Sequence, residues 1–396
     1  MRLRIGIVTQ AYRPAVGGVT EHVAATARVL RARGHEVTIV TSRFAAASEL
    51  DPFVIRLGHN LPLRYNGAEN NMTVGLRLPE RLARTFDAGR FDVLHVHCPV
   101  SPILPLLTLR LARCPVVGTF HSAMTSDLPF RLFGRLILPL YRRINRPLAV
   151  SETARACAER FFPGPIEVLP NGVDRSRFRP GLPRLPRYAD ALPTILFVGR
   201  FDPRKGVPEL IKACAILARE GVPFRLVLVG DGALRGTIGR LAGGALRGRV
   251  HFEGQVSHDA LPQYYASADI FCSPARCGES FGLVLLEAMA SGVAIVTTDL
   301  PGHRSVLTPG VEGIAVPPRD PVSLAAALRE LILDPDKRER LGAHGIERAR
   351  AFGWEPIVDR LELIYQTLVQ GGGAIWGQRG IPGGAEVPSE ARTAVG

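Results

Sequence analysis

Residues 195–220 read I-L-F-V-G-R-F-D-P-R-K-G-V-P-E-L-I-K-A-C-A-I-L-A-R-E, and this unit sets the fold. Four apolar residues closed by Gly199 have the length of a buried strand, and residues 207–220 form an amphipathic segment of helix length. A short buried strand followed by such a helix is the repeating unit of a parallel sheet with crossover connections. The loop between them carries Arg200 at the carboxyl end of the strand and Lys205 just before the helix. Two cations there suit a diphosphate, because a guanidinium forks to its oxygens and an ammonium adds a point charge. A solvated basic turn has the same composition, so the loop alone leaves both readings open.

The same alternation extends in both directions. Upstream, residues 3–8, 37–41, 93–96, 116–119, 148–150 and 166–169 read as strands, with a helix over 21–33 closed by Gly34. Proline and arginine then accumulate through R-P-G-L-P-R-L-P-R-Y in residues 178–193, a linker with weak helix and strand signals. Beyond it the pattern restarts with strands over 195–198, 225–229, 250–253, 270–273 and 294–297. The expected fold class is α/β, with two Rossmann-like, doubly wound parallel-sheet domains joined near residue 185 and facing a central cleft. Ligands of such sheets bind outside the carboxyl ends of the strands, which places the site in that cleft. The glycine-rich stretch from Gly371 lacks periodicity and is expected to be disordered.

Bulk properties narrow the classes. A chain of 396 residues exceeds one ordinary domain, and 46% hydrophobic content excludes global disorder. A net charge of +13 points to anionic partners. No RNP aromatic pattern, zinc-ligand spacing or basic tail accompanies it, so nucleic acid is not an expected partner. The six cysteines lack paired spacing, which fits a reducing, cytoplasmic setting. The N-terminal apolar run is too short for a signal peptide. No run reaches the ~18 to 20 apolar residues of a spanning helix, so any membrane contact is peripheral.

Further residues carry chemistry. Residues 277–292, C-G-E-S-F-G-L-V-L-L-E-A-M-A-S-G, place Glu279 in a loop and Glu287 inside a helix that is apolar over most of its circumference. A buried carboxylate needs a partner; ribose hydroxyls or a structural arginine would each serve. The loop before a helix favours a diphosphate, and Glu279 there could hold sugar hydroxyls or lie solvated. In G-T-F-H-S, His121 ends a strand, where a histidine is either structural or at the cleft. His95 and His97 on one strand are expected to face apart and so not to chelate jointly. Gly17-Gly18-Val19 precedes a helix but is not G-x-G-x-x-G, which disfavours a dinucleotide dehydrogenase. Residues 126–146 interleave Phe130, Leu132, Phe133, Leu136, Ile137 and Leu140 with Arg131, Arg135, Arg142, Arg143 and Arg146. That pattern fits an interfacial surface for anionic lipid, to which Arg77, Arg81 and Arg84 add, or a core-facing helix with a solvated basic side.

G-R-F-D-P-R-K-G, L-V-G-D-G, F-E-G-Q-V, Y-Y-A-S-A-D-I-F and P-A-R-C-G-E-S-F-G-L-V-L-L-E-A-M-A-S-G stand in the order seen in retaining glycosyltransferases of the GT-B fold, family 4. The chain resembles that family up to residue 370. The resemblance implies that Arg200 and Lys205 bind a donor diphosphate, that Glu287 binds its ribose, and that Glu279 with the backbone of Ser280, Phe281, Gly282 and Leu283 orients the transferred sugar. It implies further that the Gly17-Gly18 loop approaches the phosphates and that His121 lies by the transferred sugar. His121, Glu279, Arg200 and Lys205 are thus the implied catalytic set, with no metal ligands and no required cofactor. Within the family, F-D-V-L-H-V-H-C-P, G-T-F-H-S, L-A-V-S-E-T-A and G-E-S-F-G-L-V-L-L-E-A-M-A resemble bacterial phosphatidylinositol mannosyltransferases. That resemblance implies GDP-mannose as donor, a UDP-sugar being the other choice, and an anionic lipid or glycolipid acceptor such as phosphatidylinositol.

Departures sit on the acceptor side, at Cys98 and Val100 and in A-Y-R-P-A-V, which lacks the acid expected there. The expected organisation is an acceptor domain over 1–185, a donor domain over 186–352, a helix over 353–370 returning to the first domain, and a tail over 371–396. The expected location is the cytoplasmic face of the plasma membrane. A soluble or polysaccharide acceptor, a nucleotide-sugar epimerase and a non-catalytic binding protein are the competing functions.

Overall fold

The computed structural model describes residues 1–15, 17–44, 51–65, 68–122 and 128–371. The expected tail from residue 372 lies outside them, as do residues 126 and 127 and the side chains of 128–132. The first domain is built on strands β1 (Arg4–Val8), β2 (Glu36–Ser42), β3 (Val54–Leu57), the hairpin β4 (His59–Tyr65) and β5 (Ala68–Val74), then β6 (Val93–His97), β7 (Val116–Phe120), β8 (Arg146–Ala149) and β9 (Glu167–Val168). Seven of these form one parallel sheet in the order β3-β2-β1-β6-β7-β8-β9. The second domain holds β10 (Thr194–Val198), β11 (Arg225–Val229), β12 (Val250–Gly254), β13 (Ile270–Ser273), β14 (Ala294–Thr298) and β15 (Gly313–Val316). They pair in parallel in the order β12-β11-β10-β13-β14-β15.

Each order reverses direction at one place. In the first sheet the chain runs outward from β1 and returns on its other side at β6; in the second it runs outward from β10 and returns at β13. Loops leaving the carboxyl ends of such neighbouring strands diverge and open a crevice. The loops after β10 and β13 carry Arg200, Lys205 and Glu279, and β7 delivers His121. The two Rossmann-like domains face each other across a cleft, as GT-B folds do.

The central strands form because they are buried on both faces, which selects continuous β-branched and aliphatic runs such as T-I-L-F-V and A-I-V-T-T. Three pieces escape that logic. β3 (V-I-R-L) is an edge strand carrying Arg56, the hairpin strand β4 contains Pro62, and β15 is a four-residue edge strand opening on glycine. The first helix starts at Gly18, three residues earlier than its apolar pattern, because glycine adds no periodic signal.

The C-terminal helix Trp354–Gln370 packs on the first domain. Its Trp354, Ile357, Val358, Leu361, Ile364 and Tyr365 share one core with Leu3, Ile5, Val23 and Leu30. Gly172 allows this, since a Cβ there would lie 2.6 Å from the Trp354 ring. The proline- and arginine-rich connection is pinned to the second domain rather than loose: Arg184 pairs with Asp269 at 2.6 Å, and the Tyr188 hydroxyl donates to Glu253 at 2.6 Å. Among the described residues, no helix is long and apolar enough to cross a membrane.

Candidate active site

The loop after β10 is shaped by its own sequence. Asp202 Oδ1 accepts from the Arg204 N–H at 2.9 Å, which caps a single 3-10 turn at Pro203–Lys205. Gly206 follows with φ of 67°, and a Cβ there would come within 1.8 Å of the Pro274 carbonyl oxygen. Only glycine lets this turn press so closely on the loop after β13. The two loops are further joined by the Arg276 N–H donating to the Arg204 carbonyl at 2.7 Å. Lys205 is thereby aimed across the seam, and its Nζ lies 2.7 Å from Glu279 Oε1.

Glu279 is therefore not a solvated loop acid. Burial alone would push its carboxyl up, but Lys205, His303 and Arg204 outweigh burial and hold it below the ordinary glutamate range. Arg200 is half exposed, 3.7 Å from Asp202, and its guanidinium remains accessible to a ligand.

Among the described residues Glu287 forms no ion pair, and Arg177 acts on it only from a distance. Glu287 is buried in the helix Leu283–Ala290, and its Oε2 accepts from the Tyr265 hydroxyl at 2.7 Å. Burial raises its carboxyl to about 7, against the lowering effect of that hydrogen bond. The sequence reading did not single out Tyr265, although it lies in the Y-Y-A-S motif.

Gly282 caps the same helix with φ of 97°, and Leu283 is the helix's first residue. Phe281 is buried, its ring 6.0 Å from and edge-on to Phe352, so its side chain anchors the loop while its backbone stays at the seam. Ser280 bridges the domains: its hydroxyl donates to the His121 carbonyl at 2.6 Å, and its own carbonyl accepts from the Ser151 hydroxyl. Across the cleft, Gly17 and Gly18 are exposed, and a Cβ on either would meet nothing within 4 Å among the described residues. Packing does not demand these glycines. They stand at the start of the helix Gly18–Ala32, the positive end of its dipole.

His121 sits 2.8 Å, Nε2 to Nδ1, from His97. His95 and His97 do not face apart, contrary to the expectation above. A strand repeats every two residues, so both lie on one side of β6, with ring centroids 4.3 Å apart. His22 stands edge-on to His97 and His121 at 5.2 and 5.1 Å, completing a buried group of four imidazoles. Burial lowers His22 to about 4 and His95 to about 3, and holds His97 and His121 well below the ordinary histidine range, so all four are neutral at pH 7. Among the described residues, no set of three or more His, Cys, Asp or Glu is arranged to hold a metal ion. His303, also missed in the sequence, is buried beside Glu279 with its Nδ1 2.9 Å from the Thr298 carbonyl.

Two family models match the chain: residues 16–177 fit the one described as Glycosyltransferase Family 4, and residues 187–348 the one described as Glycosyl transferases group 1. A phosphatidyl-myo-inositol mannosyltransferase of Mycobacterium tuberculosis is 36% identical over 381 residues, covering 94% of this chain and 99% of that one. The chain belongs to glycosyltransferase family 4. A D-inositol 3-phosphate glycosyltransferase of Geodermatophilus obscurus is 30% identical over 405 residues, covering 93% and 88% of the two chains. The sucrose-phosphate synthase of Thermosynechococcus elongatus superposes with a TM-score of 0.71 at 25% identity, covering 93% of this chain and 99% of that one. The protein is thus a glycosyltransferase of GT-B fold, and the loops after β10 and β13 lie where its two domains meet.

One consequence for this glycosyltransferase is thermodynamic. Folded Glu287 keeps its proton up to about pH 7, whereas the unfolded chain releases it near the ordinary glutamate value. The stabilisation is complete below that ordinary value and is lost as pH rises towards 7, by up to about 3 kcal/mol. Urea unfolding at pH 5 and pH 8 should show that loss in the wild type and a flatter profile in Glu287→Gln.

Proposed function

We propose that this enzyme transfers mannose from GDP-mannose, with retained anomeric configuration, to phosphatidylinositol at a membrane surface. The half-buried Lys205–Glu279 pair, which joins the loops after β10 and β13 and adjoins Ser280, the donor to the His121 carbonyl, is the observation that carries the donor half. Arg200 and Lys205 take the diphosphate, with the open amides after Gly17 and Gly18 facing them. Glu279 and the backbone of residues 280–283 hold the sugar hydroxyls, Glu287 takes the ribose, and His121 lies against the transferred sugar. As the bond from the anomeric carbon to the diphosphate breaks, negative charge collects on the leaving oxygens. Fixed cations and helix amides stabilise that charge without reorganising.

The acceptor half rests on the likeness to the mannosyltransferase and on one surface. In the helix Leu128–Tyr141, Phe133 is 54% exposed and Leu136 72% exposed, with exposed Arg135 between them, while Ile137 and Tyr141 anchor the inner face. An apolar ridge beside a guanidinium suits the boundary of an anionic bilayer. On this reading residues 1–185 serve the acceptor, residues 186–352 the donor, and the enzyme works peripherally on the cytoplasmic face.

A second reading is transfer to a soluble inositol phosphate, favoured by the likeness to the D-inositol 3-phosphate enzyme. A panel of GDP- and UDP-sugars scored by protection against thermal unfolding tests the donor. Protection by UDP-sugars alone would refute GDP-mannose, and nucleotide-sugar conversion without acceptor would identify an epimerase. For the surface, Phe133→Ser with Leu136→Ser is expected to weaken co-sedimentation with anionic vesicles about tenfold. The melting temperature should stay at the wild-type value. Undiminished vesicle binding would remove this helix from the membrane contact.

A further inference from the structure

We propose that His97 is a positioning residue that fixes the tautomer of His121. In this arrangement His97 Nδ1–H donates to His121 Nε2, and His121 is left with its proton on Nδ1, a hydrogen-bond donor turned towards the transferred sugar. The inference deepens the proposed function, because it rests on reading His121 as the side chain that meets the sugar.

Two neutral imidazoles carry one N–H each, and the 2.8 Å contact between His97 Nδ1 and His121 Nε2 needs one of them. If His121 supplied the proton, His97 would be protonated at Nε2. That nitrogen is buried and, among the described residues, meets no hydrogen-bonding partner. A buried N–H without an acceptor is rarer in folded proteins than an acceptor with a spare lone pair, so the proton belongs on His97 Nδ1.

The neighbours leave this choice intact. His95 is satisfied elsewhere, by the Tyr365 hydroxyl at 2.7 Å and the Thr119 hydroxyl at 2.6 Å, both of which rotate to suit. His22 is held by Asn171 at 2.8 Å and presents its ring edgewise to the pair. Of the four rings, His121 is the most exposed, at 8% against 2% or less for the others. That exposure, at the end of β7, is the ground for assigning its remaining nitrogen to the cleft side. The register of the sheet sets the pairing: His97 and Thr119 are partners across β6 and β7, and His121 lies two residues further along on the same side.

The test uses full-length protein labelled with ¹⁵N-histidine, in which long-range proton–nitrogen spectra report the tautomer of each ring. The His121 signals are assigned by their loss in His121→Gln. The wild type should show His121 protonated at Nδ1 and His97 protonated at Nδ1. His97→Leu, which removes the donor, should release His121 from that single tautomer. It should also lower kcat for mannosyl transfer by about 30- to 100-fold, with the donor KM within about threefold. His97→Asn can place an amide N–H where Nδ1 stood; it should restore the Nδ1 tautomer of His121 and bring kcat back to within about fivefold of wild type.

Three results would overturn the inference: Nε2-protonated His121 in the wild type, an unchanged tautomer and rate in His97→Leu, or a folded His97→Asn as slow as the leucine variant. The spectra need no substrate. A wild type that transfers no sugar but shows the expected tautomers would refute the functional reading and leave the His97–His121 arrangement standing.

Discussion

Lys205→Ala is expected to lower kcat/KM for sugar transfer by about 10³-fold, at the upper end of what one fixed charge in a desolvated site contributes. Two losses combine. The diphosphate loses a cation on the side where its charge grows, and Glu279 loses the partner that keeps it ionised. With Lys205 gone, burial of Glu279 is opposed mainly by His303 and Arg204, and its carboxyl moves up towards protonation. Folding should suffer less than catalysis, since a glutamate that takes up a proton no longer buries a charge. Glu279→Gln in the Lys205→Ala background should cost much less than in the wild type, because the two residues act as one unit. Steady-state kinetics of the four proteins in that cycle check this. Additive losses, or full activity in Lys205→Ala, would remove the ammonium from the donor site.

Gly206→Ala should have the largest effect on stability of any single methyl added to the site. The residue sits at φ of 67°, and the new Cβ would lie 1.8 Å from the Pro274 carbonyl oxygen, far inside contact distance and against backbone. The loops after β10 and β13 would have to separate, at an expected cost of about 4 kcal/mol or more. Separation would also pull Lys205 from Glu279, so whatever protein folds should be nearly inactive. Gly34→Ala is the control: its φ is 89°, but among the described residues nothing lies within 4 Å of the added carbon. That change should cost about 1 kcal/mol, the conformational part alone. Equal unfolding midpoints in urea for the two variants would show that the tight seam is not what glycine at position 206 serves.

The sequence made the central architecture legible because buried parallel strands leave continuous apolar runs. The edges were not, since Arg56, Pro62 and the glycine opening β15 belong to strands with one solvated or unpaired side. The candidate site residues stood out by type and position: Arg200, Lys205, Glu279 and Glu287 are charges set where strands end or inside an apolar helix. Their partners were not. Tyr265 meets Glu287 from 22 residues away, His97 meets His121 from 24, and Ser280 meets the His121 carbonyl from 159. No local spacing reports such contacts, which depend on strand order and on how the two domains close. For His95 and His97 the local rule did apply, and the period of two places both rings on one face.

The identity of the product decides between a lipid and a soluble acceptor. Purified enzyme is incubated with GDP-mannose and vesicles containing phosphatidylinositol, and the extracted lipid is examined by mass spectrometry. The prediction is a phosphatidylinositol species heavier by one hexose, formed only when both substrates are present and absent with Lys205→Ala. Transfer of the hexose only to a water-soluble inositol phosphate, with the lipid unchanged, would contradict it.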